Sequence, residues 1–397
     1  MPKVAVRGQE MSASPIRRLV PFANEAKAKG THVFHLNIGQ PDLPTPKVAL
    51  EAVRKIEREV LEYSPSAGLQ STREKMAEYY NRFDIKVTAD DVMITTGGSE
   101  ALQFAFMTTL DEGDELIIPE PTYANYATLA GLSGAVIKPL PCSIKNGFAL
   151  PPIEELEALI TPKTKGILIC NPNNPTGYVY TQEEMEQIGE IVKKHDLFLF
   201  SDEVYREFCY TEQPHFSAFH LKGIDENLIL IDSVSKRYNE CGIRIGCMVT
   251  KNEVFKENAM KLAQARLSPP LLGQIVAEAS MDTPQDYMEE MYDSYLLRRN
   301  TLIEGLNKIE GVFTNTPTGA FYTVAELPID DADEFCKWML TDFSYNGKTV
   351  MMAPATGFYT NHELGKKQVR MAYVLEKSEL EEALVVLEHA LIAYNKK

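Results

Sequence analysis

Short apolar runs separated by longer helical patterns constrain this chain more than any other feature. They are Val92–Thr96 (VMITT), Glu115–Pro119 (ELIIP), Gly166–Cys170 (GILIC), Leu197–Ser201 (LFLFS), Leu228–Ile231 (LILI) and Ile245–Val249 (IGCMV). Strands with no polar face are covered on both sides, and strands that alternate with helices such as Gln182–His195 pair in parallel. Residues 47–285 are therefore expected to form a large α/β domain. The tail reads differently. Ala320–Val324, Thr349–Met352 and Val369–Val374 look like strands, and Lys377–Asn395 looks like an amphipathic helix. A smaller α+β domain over residues 286–397 is expected, joined by the N-terminal segment 1–46. A helix around Met288–Ile309 would link the two. A chain of 397 residues has room for both.

Composition excludes several classes of function. Apolar residues make up 44% and charged residues 24%, as in an ordinary soluble protein. No stretch approaches the ~18 apolar residues of a membrane helix. The opening MPKVAVRGQEMSASPIRR has no apolar signal-peptide core, so a cytoplasmic location is expected. A net charge of −16 argues against a nucleic-acid partner. Cys142, Cys170, Cys209, Cys241, Cys247 and Cys336 form no C-x-x-C pair, and free thiols are expected. The seven histidines have no H-E-x-x-H spacing, so no metal is expected. A G-x-S-x-G elbow and a P-loop are also absent from the sequence.

Polar sequences follow the runs directly. Thr96 leads into GGSEAL, Pro119 into EPTYANY, Cys170 into NPNNPTG, Phe200 into SDEVY and Ile231 into DSVSKRY. In an open α/β sheet the crevice beyond the carboxyl ends of the strands is where ligands bind, so these loops should converge there. Gly97-Gly98-Ser99 at a helix N-terminus suits a phosphate, although a simple helix cap by Ser99 is also open. Ser233, Ser235 and Lys236, with Arg244 eight residues on, suit a phosphate beside an imine-forming amine. The other reading of Lys236 is a solvated charge. Asp202 at a buried strand end needs a partner, such as a pyridinium nitrogen, unless it caps a helix. Tyr205 and Asn174 could donate to a phenolate oxygen, or be a packed tyrosine and a turn asparagine.

The motifs NIGQPD (37–42), YSPSAG (63–68), TTGGSEAL (95–102), PTYANY (121–126), NPNNPTG (171–177), SDEVY (201–205), SVSK (233–236), GIRIG (242–246) and VRMAY (369–373) stand in this order. Taken together they resemble the class I/II aminotransferases, prokaryotic type, from about residue 15 to the C-terminus. The resemblance implies the three-layer α/β fold type I of the pyridoxal 5′-phosphate enzymes, with a mostly parallel seven-stranded sheet. It implies that Lys236 holds the cofactor and shuttles the substrate proton, and that Asp202 pairs with the pyridinium nitrogen. Tyr205 and Asn174 would bond the ring's 3-oxygen, and Tyr123 would stack on the ring. Gly98, Ser99, Glu100, Ser233, Ser235 and Arg244 would form the phosphate site. Tyr63 would reach the cofactor of a second subunit in a homodimer. Gly39, Asn174 and Arg370 would hold the substrate carboxylate. Cis peptides are implied at Glu120–Pro121 and Asn174–Pro175.

The reaction so implied moves an α-amino group to a 2-oxo acid such as 2-oxoglutarate, by ping-pong kinetics. Aspartate, or a broad range that includes it, would be the donor. A carbon–sulfur β-lyase on the same scaffold shares the early chemistry. A non-catalytic regulator would need an added DNA-binding domain, for which no basic segment is left. One departure concerns specificity. Prokaryotic aspartate aminotransferases of this type often have lysine after the two glycines, to meet a distal carboxylate, and this chain has Ser99. Arg266 could supply that charge, or be structural.

Overall fold

The computed structural model of the chain describes residues 2–11 and 14–396. Near the N-terminus lies β1 (His32–His35). Next come β2 (Val92–Thr95), β3 (Glu115–Glu120), β4 (Val136–Pro141), β5 (Thr164–Cys170), β6 (Phe198–Asp202), β7 (Leu228–Ser233) and β8 (Gly246–Val249). These last seven make one sheet in the order β2-β8-β7-β6-β5-β3-β4. The expected fold class is borne out. β3, β4, β5, β6 and β7 pair in parallel, and β8 lies antiparallel to both β2 and β7. The reversal at β8 departs from a purely parallel reading. Only a short turn of helix, Val234–Arg237, and a loop separate β7 from β8, and so short a link cannot cross back over the sheet.

β4 is a strand that periodicity missed. Its sequence VIKPLP carries two prolines, and an edge position tolerates them because one side of the strand needs no ladder donors. Burial is complete along β7 and β8 and the edge strand β2, and covers the inner residues of β5 and β6. Helices cover the sheet. Gly98–Thr109 buries Ala101, Leu102, Phe104, Ala105 and Phe106, and Phe106 meets Phe200 edge to face at 5.3 Å. Gln182–His195 begins with a reciprocal Thr181–Glu184 capping box and stops at Asp196, whose backbone is left-handed.

Beyond the long helix Gln285–Leu306 come β9 (Phe313–Thr314), β10 (Tyr322–Glu326), β11 (Lys348–Met351), β12 (Ala353–Pro354) and β13 (Gln368–Ala372). A four-stranded antiparallel sheet has the order β12-β13-β10-β9, and β1 pairs in parallel with β11. The chain closes on the helix Lys377–Tyr394. Because β2, β3, β5, β6 and β7 point the same way, the loops after them open at one edge of the large sheet. β13 and the loop after β1 face that edge: Arg370 on β13 donates to the backbone of Asn37 and to the side chain of Asn174.

Candidate active site

The loop after β2 builds an anion cradle. Gly97 has φ +76°, and a Cβ there would stand 2.4 Å from Nη2 of Arg244. Gly246 of β8 presses on the same loop: a Cβ on it would lie 2.6 Å from the Gly97 carbonyl carbon. Gly97 needs glycine for its left-handed φ, and Gly246 because a Cβ would strike backbone. The first-turn amides of Gly98–Thr109 have no acceptor within the helix. Ser233, 2.7 Å from Ser235 between their hydroxyls, lies against Gly98. Glu100 turns away from the cradle. Its carboxylate accepts from the Thr96 amide at 2.7 Å and from Arg266.

Arg266 also donates to the carbonyl of Ser66 at 2.8 Å. The structural reading of Arg266 is the one the geometry favours, since its terminal nitrogens are tied to Glu100 and to backbone. Tyr63 is 77% exposed, with no side-chain hydrogen bond or ring contact among the described residues.

The loop after β6 presents Asp202 and Tyr205. A buried network behind it fixes both. Glu203 accepts from Ser201 (3.1 Å), Ser217 (3.0 Å) and the Ala218 amide (2.9 Å), and pairs with Arg206. The Tyr126 hydroxyl donates to Asp202 at 2.6 Å and the Val204 amide at 3.2 Å. No Lys, Arg or His pairs with Asp202 among the described residues. Burial pushes its carboxyl up to about 6, with the Tyr126 bond opposing.

Lys236 sits one turn past β7. Its neighbour Arg237 is buried against Asp232, which also accepts from Tyr80 at 2.7 Å, so the turn is clamped from behind. Lys236 Nζ donates to the Gly39 carbonyl at 2.8 Å and lies 3.6 Å from the Cys241 sulfur. Burial holds the ammonium below its ordinary range, opposed by Cys241, while Arg370 and Arg244 add to the lowering. Arg370 is buried on β13. Nη1 donates to Asn174 at 3.1 Å and Nη2 to the Asn37 carbonyl at 2.5 Å. Its Nε has no partner among the described residues. Asn174 in turn donates to Tyr205 at 3.4 Å.

The cis bonds are Glu120–Pro121 and Asn171–Pro172. The first is as expected. The second corrects the expectation at Asn174–Pro175: NPNNP contains two Asn–Pro steps that local sequence does not distinguish.

Sequence reasoning missed Tyr322, Tyr126 and Asn37 as individual residues. Tyr322 on β10 lies 3.0 Å from Tyr205 between hydroxyls, and Arg370 sits 4.6 Å over its ring. It also fills the space beside Gly39, where a Cβ would come 1.7 Å from the phenol oxygen. No period or motif singled it out. Tyr126 and Asn37 did lie inside quoted motifs.

The group fits. A buried carboxylate without a cation, a glycine cradle with Arg244 and serines, and a buried amine together match a phosphorylated, protonated pyridine aldehyde. Among the described residues no cluster suits a metal ion, and no helix is long and apolar enough to cross a membrane.

Comparison with known proteins agrees. The family described as aminotransferase class I and II matches residues 31–387. The chain is 32% identical to an aspartate aminotransferase of Bacillus subtilis, covering 96% of this chain and 97% of the relative. It is 32% identical to one of Pyrococcus horikoshii, covering 98% and 97%. Among solved structures, Thermus thermophilus aspartate aminotransferase with maleate superposes at TM-score 0.90 with 29% identity, over 98% of this chain and 100% of that one. An alanine aminotransferase of Pyrococcus furiosus gives 0.91 with 31% identity, over 98% and 100%. The chain belongs to the class I and II aminotransferases.

Proposed function

We propose that this aminotransferase uses pyridoxal 5′-phosphate held by Lys236, with donors that include aspartate and with 2-oxoglutarate as an acceptor. The observation that carries this reading is the pairing of a buried amine and a buried guanidinium on one loop. Lys236 bonds Gly39 and Arg370 bonds Asn37, two residues apart. An α-amino acid carries its amine and carboxylate on one carbon, so it needs such neighbours. The bound cofactor supplies a sink for the electrons left at that carbon when its proton leaves.

The chain's own residues do the rest. Gly98, Ser99, Ser233, Ser235 and Arg244 bind the phosphate, with Glu100 holding the cradle loop through Thr96. Asp202, itself held by Tyr126, would pair with the ring nitrogen and keep it protonated. Asn174 and Tyr205 would hold the ring's 3-oxygen, and Tyr123 would cover the ring. Lys236, with its lowered affinity for protons, takes the proton from the substrate's α-carbon. Arg370, with Gly39 and Asn174, orients the substrate carboxylate.

The test is a panel of amino donors with 2-oxoglutarate, following glutamate formed. Release of ammonia without any oxo-acid acceptor would point instead to a lyase. Arg370→Lys should cost about 2–4 kcal/mol in kcat/KM for every donor, because a point charge replaces a planar fork. A loss confined to one donor class would contradict its role at the shared carboxylate.

We assign a homodimer in which Tyr63 serves the partner's cofactor. Val60, Leu61 and Tyr63 are 68%, 60% and 77% exposed on a stretch without helix or strand. An interface on the order of 2,000 Å² or more would cover them. Sedimentation should show a dimer at assay concentration, and an active monomer would refute this. We assign the protein to the cytoplasm, which fits its free cysteines. The division at residues 46 and 285 is our proposal for its domains.

A further inference from the structure

The crevice holds more positive charge than the ligands named so far require. Arg244 answers the phosphate, Arg370 the α-carboxylate, and Lys236 the cofactor's aldehyde. Among the described residues one further cation acts on the Tyr123 phenol there. Arg17 is exposed, and its guanidinium has no hydrogen bond or ion pair among the described residues. Its neighbour Arg18 is paired with Asp333.

The segment carrying Arg17 is seated on the pocket wall. The carbonyl of Ile16 accepts from the Asn37 side chain at 3.4 Å, and the backbone of Asn37 accepts from Arg370. The Ile16 side chain packs against the cluster of Ala353, Ala355, Phe358 and Tyr359, as does Ala124 next to Tyr123, and Phe358 is the ring 5.2 Å from Arg370. Pro15 closes over Gly357, where a Cβ would meet it at 2.6 Å. Arg17 therefore leaves a fixed point beside the carboxylate pocket. The phenol of Tyr123 feels the result: burial raises it above its ordinary range, and Arg370, Arg17 and Arg244 pull it back.

Neither of the two positions weighed from the sequence offers a distal charge in this chain. The residue after the cradle glycines is the neutral Ser99, and Arg266 is engaged by Glu100 and Ser66. We propose that Arg17 determines specificity by binding the side-chain carboxylate of a dicarboxylic substrate at the mouth of the pocket in which Arg370 holds the α-carboxylate. This rests on the transaminase reading of the same pocket. A guanidinium offered to a carboxylate in a half-closed crevice is a charge-assisted pair, stronger than one in open water.

Succinate and propionate test this, because neither carries an amino or oxo group to react. Isothermal titration of the holoenzyme should show succinate binding more tightly than propionate. Arg17→Ala should weaken succinate about tenfold and leave propionate unchanged, and Arg17→Lys should recover part of the difference. An unchanged succinate-to-propionate ratio in Arg17→Ala overturns the assignment, as does a wild type with no preference for succinate. If the wild type transfers no amino group from any donor, the transaminase reading falls. The ratio still decides the role of Arg17.

Discussion

Lys236→Ala is expected to abolish useful transamination, with a loss on the order of 10⁴–10⁶-fold, or about 5–8 kcal/mol. One side chain performs two tasks here, holding the cofactor and moving the α-proton, so its removal costs both. The geometry explains why no neighbour substitutes. The nearest nucleophile is Cys241, 3.6 Å from Nζ, and its thiol already donates to the Ser235 carbonyl at 3.3 Å. Arg370 and Arg244 are fixed cations that cannot take a proton at neutral pH. In the wild type, borohydride reduction of the loaded enzyme should leave the cofactor on the peptide containing Lys236. Attachment to any other lysine would end this reading. Arg237 clamps the turn from the buried side, so the alanine variant should keep its fold.

Asp202→Asn should slow turnover about 10³-fold, some 4 kcal/mol, while the protein still folds. The carboxylate is buried and bonded to Tyr126, and asparagine keeps an acceptor for that bond while losing the charge. The same substitution should have the opposite effect on the empty protein. Burial raises the folded carboxyl to about 6, against an ordinary value near 4. A raised carboxyl means that the native state holds its proton more tightly than the unfolded chain. The empty wild type should therefore lose stability as pH rises from ~4 through ~6, by about 3 kcal/mol. Asparagine removes that loss. Denaturation of the two empty proteins should show the variant gaining on the wild type across that window. A pH-independent difference, or near-normal turnover in the variant, would reduce Asp202 to a structural cap.

Much of the fold was legible in the apolar runs. The runs that became β2, β3, β5, β6, β7 and β8 were long enough and free enough of polar residues to mark buried strands. β4 escaped because Pro139 and Pro141 suppress the strand signal, and only an edge position makes them harmless. β1, HVFH, is too short to carry a period, and its partner β11 lies more than 300 residues away. The antiparallel sense of β8 was hidden because burial on both faces looks the same in either direction.

The candidate site divides in the same way. The sequence by itself determined which residues stand at strand ends: Gly98 after β2, Asn174 after β5, Asp202 closing β6 and Lys236 after β7. Those positions follow from local patterns of burial and turn formation, which neighbouring residues encode. Only the tertiary structure decided the partners. Tyr126 meets Asp202, Tyr322 meets Tyr205, Arg266 is engaged by Glu100, and Arg370 reaches Asn37 across 333 residues of chain. Periodicity says which face of an element is covered, but not which distant side chain covers it. That choice is settled when the elements pack and each buried donor must find an acceptor.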